Sequence, residues 1–246
     1  MHNKQQHYSA LAENFDQVWQ FSPDYEVWMV AQIQTHLALK PHEHWVDFGA
    51  GTGRFSLAIH RHAQPSSTLC VEPDASMWAI AQQKTELNSL QACDQSFVQQ
   101  AIHYDALLVK EVIHHLSDRT AFWQGVKRQL TANGRILLIT RPQQTTLALF
   151  QQAKARFAQH QPSIDLLSTE LQTAGFETDI SVIDFPLRQS KSHWYSMLRA
   201  KFMSDLAPFS AIEIETGIAE LETEHPNEWI DHGDRLLFVV ARPKAN

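Results

Sequence analysis

Three glycines at alternate positions mark the segment Val46-Asp47-Phe48-Gly49-Ala50-Gly51-Thr52-Gly53-Arg54-Phe55. Glycine reaches positive φ without strain and has no Cβ, so the chain can turn tightly there and a ligand can lie against bare main chain. An apolar run precedes the glycines and a helical pattern follows. The free N–H groups of that helix start therefore face the same space and suit polar ligand atoms. Asp47 is placed to bond the loop or a ligand's ammonium group. Glu72 lies 19 residues beyond Gly53 and closes the next apolar run. Where parallel strands end side by side, an acidic residue in that position accepts hydrogen bonds from a ribose diol.

The tandem His114-His115 offers acid–base chemistry, because an imidazole beside a reacting centre can take a proton from a hydroxyl, an amine or an acidic carbon. The plainer reading is that the two orient a loop. A metal pair is disfavoured: neighbours on an extended segment point opposite ways, and among 14 histidines chance clusters are expected. The two cysteines, Cys70 and Cys93, form neither a disulfide framework nor a zinc spacing. Further along, His193-Trp194-Tyr195-Ser196-Met197-Leu198-Arg199-Ala200-Lys201-Phe202 mixes bulky apolar groups with positive charge. Trp194, Leu198 and Phe202 read as the buried face of a helix. Trp194, Tyr195 and Arg199 are candidate substrate contacts, with Arg199 suited to clamping a carboxylate through two N–H groups. Phe15 and Trp19, together with Tyr8, are candidates for another pocket wall, with plain core packing as the alternative.

These residues need strands and helices to hold them. Strands are expected at Trp45–Phe48, Thr68–Val71, Asp105–Val109 and Arg135–Thr140, each short and nearly continuously apolar, as strands covered on both faces should be. A weaker strand at about Ser89–Ala92 completes the alternation. Helical patterns fall at Phe55–His62, Ala75–Leu87 and Thr120–Leu130, and at the N-terminus on both sides of a break at Pro23. Alternating strands and helices imply a parallel sheet with helices on both faces. After Pro142 a long helical stretch to about His160 and a helix at Ile164–Ala174 are expected. Strands at Phe176–Asp184 and Arg235–Ala241 follow, with a helical insertion between them. The expected division is a helical cap over 1–40 and a sheet domain over 41–246, with the insertion at about 187–233.

At 246 residues, 43% hydrophobic and 19% charged, the composition is ordinary for one globular α/β domain. A net charge of −7 disfavours nucleic acid as a partner. No apolar stretch approaches the length of a membrane span, and the polar first residues lack a signal core. The cytoplasm is the expected compartment.

From about Trp45 to Thr140 the sequence resembles the class I S-adenosylmethionine-dependent methyltransferases, in particular the type 11/12 group of small-molecule enzymes. That resemblance implies a three-layer α/β/α Rossmann-like sandwich on a seven-stranded, mostly parallel sheet with the last strand antiparallel. It implies S-adenosylmethionine as cofactor, with Asp47, Gly49, Ala50, Gly51 and Gly53 against its methionine part and Glu72 on its ribose. Pro73 and Met77 resemble the turn after the second strand, where Met77 would pack on adenine. Asp94 resembles the acidic residue that takes the adenine amino group, although Ala92-Cys93-Asp94-Gln95 departs from the commoner Gly-Asp-Ala form. The run Lys110-Glu111-Val112-Ile113-His114-His115-Leu116 resembles the family's passage from the fourth strand to the active-site edge. The reaction implied is methyl transfer to a small, partly apolar acceptor for which an acidic group is one option. Two rivals share the loop. A nicotinamide-dependent oxidoreductase would carry G-x-G-x-x-G where this chain has G-x-G-x-G, and a non-catalytic cofactor-binding protein would look the same at the loop.

Overall fold

The computed structural model describes Asp16 and residues 21–244. The expected pocket residues Tyr8, Phe15 and Trp19 lie outside the described residues, as does the helix expected around them. No helix among the described residues is long and apolar enough to cross a membrane.

The helix expected after the break at Pro23 begins at that residue. Helix α1 spans Pro23–Leu37, with the Ser22 side chain accepting from the Tyr25 N–H and proline in the first turn, where its missing donor is harmless. Ala38, in the left-handed region at φ 48°, ends it. Then follow β1 (His44–Phe48), α2 (Arg54–Ala63), β2 (Ser67–Val71), α3 (Ala75–Gln82), β3 (Asn88–Leu90), the short α4 (Asp94–Phe97) and β4 (Tyr104–Lys110). After a 3-10 turn at Ile113–His115 come α5 (Arg119–Gln129), β5 (Leu130–Thr140), α6 (Gln151–His160), α7 (Ile164–Thr173) and β6 (Phe176–Ser190). The chain closes with α8 (Lys191–Arg199), a 3-10 turn at Ser204–Leu206, α9 (Ala211–Glu224) and β7 (Trp229–Pro243).

The seven strands form one sheet in the order β3-β2-β1-β4-β5-β7-β6. β1 to β5 pair in parallel, and β7 runs antiparallel to both β5 and β6. Side chains alternate across each strand, so the sheet feeds two cores. Ala106 and Leu108 of β4 pack with α1, α6 and the insertion. Leu107 and Val109 pack with α5 and α7 on the other face. The three-layer sandwich expected from the resemblance is present.

Three departures have physical causes. α3 stops at Gln82 rather than Leu87, because tight turns (Lys84 N–H to Ala81 O, Leu87 N–H to Lys84 O) follow and leave Leu87 buried. Helix does not start at Pro142: Leu147, Leu149 and Phe150 are buried in an irregular segment held by hydrogen bonds between Thr146 and Gly233, and their periodicity is tertiary. β6 and β7 are longer than expected and pair continuously from Phe176↔Pro243 to Ser190↔Trp229. β5 pairs with β7 only as far as Thr140↔Leu237. Beyond that, β6 and β7 continue as a two-stranded ribbon past the carboxyl end of β5, and the insertion shortens to 191–228 at the ribbon's tip.

Candidate functional site

The glycine loop joins the carboxyl end of β1 to the start of α2, and Gly49, Gly51 and Gly53 all have positive φ (75°, 57° and 75°). Gly49 and Ala50 both donate their N–H to Val71 O at the end of β2, at 2.8 and 3.1 Å. A Cβ on Gly49 would lie 2.2 Å from Val112 Cγ2. Glu72 receives the loop: Gly51 N–H donates to Oε2 at 2.8 Å and Asp74 N–H to Oε1 at 2.9 Å. Its carboxyl is buried, and burial pushes its pKa up to about 7 against the pull of those two N–H groups. Pro73 leads into Asp74, whose side chain caps α3 by accepting from Ser76 and Met77 N–H at 3.0 Å, with Met77 buried beneath. Asp47 accepts from the Ser56 hydroxyl at 2.5 Å, and burial lifts it to about 6 despite that bond.

Asp94 opens α4 and binds the segment after β4, its Oδ2 accepting from Ser117 N–H at 2.8 Å and the Ser117 hydroxyl at 2.6 Å. Burial works to raise its pKa, but those bonds hold it below the ordinary value. Lys84 from beyond α3 donates to Thr52 O at 2.6 Å and pins the loop from outside. Thr52 and Arg54 both bond Asp16.

At the carboxyl end of β4 the Lys110 ammonium rests 4.4 Å from the centre of the Phe55 ring. Burial lowers its pKa, while Glu111 pulls the other way. Glu111 adopts φ 57°, a left-handed conformation that is strained for a side chain of this kind. Its Oε2 pairs with Arg141, which follows β5, and Arg141 also grips Asp234 of β7 at 2.6 and 2.8 Å. The Tyr25 hydroxyl of α1 donates to Asp234 at 2.6 Å. Burial would strip the charge from Arg141, but Asp234 and Glu111 outweigh it and hold the guanidinium protonated. Burial pushes Tyr25 well up, reinforced by Asp234. Glu111 is raised chiefly by burial, with Asp234 adding to the push as both carboxylates share one arginine.

Sequence reasoning missed Arg141, Asp234 and Tyr25. Arg141 directly follows the apolar run of β5, and a charged residue at that strand end was the available signal. Asp234 lies in the polar half of β7, which an apolar pattern cannot show.

The glycine loop and Glu72 lie together, and Pro73 and Met77 follow in the turn that opens α3. His114 and His115 sit on a 3-10 turn rather than an extended segment, and their rings lie on one side with centroids 4.0 Å apart, tilted by 57°. Gln161 Nε2 lies 3.5 Å from His114 Nδ1 and its carbonyl accepts from Thr140. Trp194 is fully buried and donates its indole N–H to Ala148 O at 2.7 Å, and Tyr195 is buried beside it. Arg199 makes a two-point pair with Glu215 at 2.7 and 2.9 Å on the exposed face of the insertion. A substrate carboxylate would have to displace Glu215 to reach it. Among the described residues no group of three or more His, Cys, Asp or Glu is arranged to hold a metal ion.

The parallel sheet with its β7 reversal, and a glycine loop tied to an acidic residue at the end of β2, make up a Rossmann-like fold of the kind found in methyltransferases. More particularly, residues 46–136 match the family model of a methyltransferase domain. The chain is similar to the mycolic acid cyclopropane synthase CmaA1, solved with SAH and CTAB, at 16% identity and TM-score 0.66 over 98% of this chain and 97% of that one. The YcgJ protein of Bacillus subtilis aligns at 15% identity and TM-score 0.64, over 89% and 100%. The [4+2]-cyclase SpnF aligns at 12% identity and TM-score 0.59, over 89% and 81%. No curated protein matches the sequence.

Proposed function

We propose that the protein binds S-adenosylmethionine on the loop from Asp47 to Gly53 and directs its methyl group to a small-molecule acceptor. The observation that carries this reading is the Glu72 clamp. Each carboxylate oxygen already takes one backbone N–H, and each keeps a further lone pair for a ribose hydroxyl. Gly49 and Gly53 turn at positive φ and pack close to Val112 and Ala81, which keeps the loop's main chain beside the clamp. Asp47, Ala50, Lys110 and Glu111 are the remaining residues assigned to the cofactor side, Met77 to the adenine face and Asp94 to the adenine amino group. Asp94 has one carboxylate oxygen without a bond from Ser117. The similarity to CmaA1, solved with SAH, supports the same cofactor.

When bound, the cofactor supplies an electrophilic methyl group on a sulfonium. The chain's task is then to align the acceptor and exclude water. His114 and His115, at the edge beyond β4, are the candidates for removing a proton from the acceptor. Isothermal titration with S-adenosylhomocysteine should show one site, and Glu72→Ala should weaken it by about 10-fold or more, the scale of one lost charged hydrogen bond pair. Binding of NADH and not of S-adenosylhomocysteine would overturn the reading. For an acceptor found by screening with labelled cofactor, His115→Ala should lower turnover while leaving the cofactor affinity within about 2-fold.

One observation favours a second reading: the similar SpnF is named a [4+2]-cyclase. By that analogy this fold would hold the cofactor and shape a pocket without transferring its methyl group. Tight S-adenosylhomocysteine binding with no label transfer to any member of a broad metabolite panel is the result expected of it.

A further inference from the structure

Around the ribbon formed by the ends of β6 and β7 lie three side chains with buried polar atoms that have no partner. His232 of β7 has neither ring nitrogen hydrogen-bonded, and both are buried. Gln189 of β6 donates its amide nitrogen to Phe21 O at 2.9 Å, which fixes the orientation of the amide and leaves its buried Oε1 with no donor. Glu111 Oε1 is likewise buried and unpartnered while Oε2 pairs with Arg141. Native proteins leave few such groups, and each asks for an explanation.

These three side chains share one neighbourhood. The Arg141 guanidinium lies 6.0 Å from the centre of the Phe21 ring, and the Trp194 ring packs 6.2 Å from Phe21 and 4.6 Å from His232. Gln189 bonds the Phe21 carbonyl. Asp234, two residues from His232 on the same face of β7, closes the circle through Arg141 to Glu111. The ribbon overhangs the carboxyl ends of β4 and β5, the edge at which a parallel sheet offers its crevice.

The chemistry of the wall is one-sided. Glu111 Oε1 and Gln189 Oε1 can only accept, and a neutral imidazole adds one acceptor and one donor. The nearby guanidinium is already occupied by two carboxylates. An incoming carboxylate or phosphate would meet lone pairs, because the charges of Lys110 and Arg141 are already matched by Glu111 and Asp234, whereas an amine or a polyol would satisfy the orphaned atoms. We propose that Gln189 and His232, with Glu111 Oε1 at the border with the cofactor side, form the acceptor-recognition site, and that its ligand is a donor-rich amine or hydroxyl compound rather than an acid. This rests on the methyltransferase reading for the ligand's role as acceptor, but recognition itself does not require the cofactor.

Three probes of one shape separate the outcomes: benzylamine, benzyl alcohol and benzoate, titrated without cofactor and followed by the ring-nitrogen NMR signals of His232. Benzylamine and benzyl alcohol should shift those signals, with benzoate at least about 10-fold weaker, a difference of one unsatisfied polar contact. His232→Phe should weaken benzylamine by about 10-fold, and His232→Gln, which keeps a donor and an acceptor, by less. His232→Phe should also raise Tm by about 2–4 °C, because it removes a buried polar group without a partner. Benzoate binding as tightly as benzylamine, no binding by any probe, or equal affinity in wild type and His232→Phe would overturn the proposal. S-adenosylhomocysteine titration of the wild type is read separately: its failure sinks the methyltransferase reading alone.

Discussion

Single residues decide whether the loop can exist at all. Gly49 has φ 75° and the space a Cβ would need is held by Val112, which leaves β4 at the same edge. Alanine would have to adopt a strained left-handed conformation and push Val112 away from a contact of 2.2 Å. We expect Gly49→Ala to lower stability by about 2–4 kcal/mol, combining strain with overpacking. S-adenosylhomocysteine affinity should fall further than stability alone explains. Urea unfolding and titration calorimetry on the folded fraction check both, and a variant with wild-type affinity contradicts the loop assignment. This level was the most legible from sequence, because glycine spacing and an acidic residue at a fixed distance are local. Glu111 and Arg141 show the limit: a left-handed glutamate bonded to an arginine just beyond the next strand depends on β4 and β5 lying side by side, and no local pattern encodes it.

Among elements, α1 has the most explicit tether. Arg135 of β5 donates to Leu37 O and, at 2.8 Å, to Ala38 O, satisfying carbonyls left free at the helix end. It also grips Glu43 at 3.0 and 2.7 Å, and both side chains are only 9% exposed. Burial works against the charge on Glu43, but the Arg135 hydrogen bonds hold its pKa below the ordinary value. Arg135→Met would strand a buried carboxylate and two carbonyls, and should cost about 3–5 kcal/mol. The double variant with Glu43→Leu should recover much of that loss, since an apolar pair often replaces a buried ion pair without penalty. Thermal unfolding of the four proteins in the cycle measures the coupling, and simple additivity would show that the pair acts independently. Sequence reasoning found the elements themselves because their apolar runs are strong. It misjudged their ends at α3, at the segment after Pro142 and in the ribbon, where contacts across the fold override local periodicity.

At the scale of the molecule the buried titratable groups of the cofactor edge and of the ribbon make opposite demands on pH. Glu72 titrates near 7 in the folded chain and Asp47 near 6, both raised by burial. Between the ordinary carboxyl value and the raised one, the unfolded chain has lost its proton while the folded chain keeps it. Stability is therefore lost as pH rises through that window, and for Glu72 the window runs from 4.5 to about 7. His232, lowered by burial to about 4, behaves in reverse: below 6.5 the unfolded chain gains a proton that the folded chain refuses, so stability is lost as pH falls. The two effects overlap and partly cancel in the wild type, so differences between variants are the cleaner measurement. The Tm of Glu72→Gln relative to wild type should climb as pH goes from 4.5 to 7 and then level, by an amount corresponding to roughly 3 kcal/mol. The same difference for His232→Phe should run the other way, largest near pH 4 and smallest above 6.5. Flat differences for both variants would mean that neither group titrates as its burial demands. The two residues that oppose each other over pH are those given separate tasks, Glu72 under the glycine loop and His232 on the ribbon, so a stability cost is carried at both ends of the crevice.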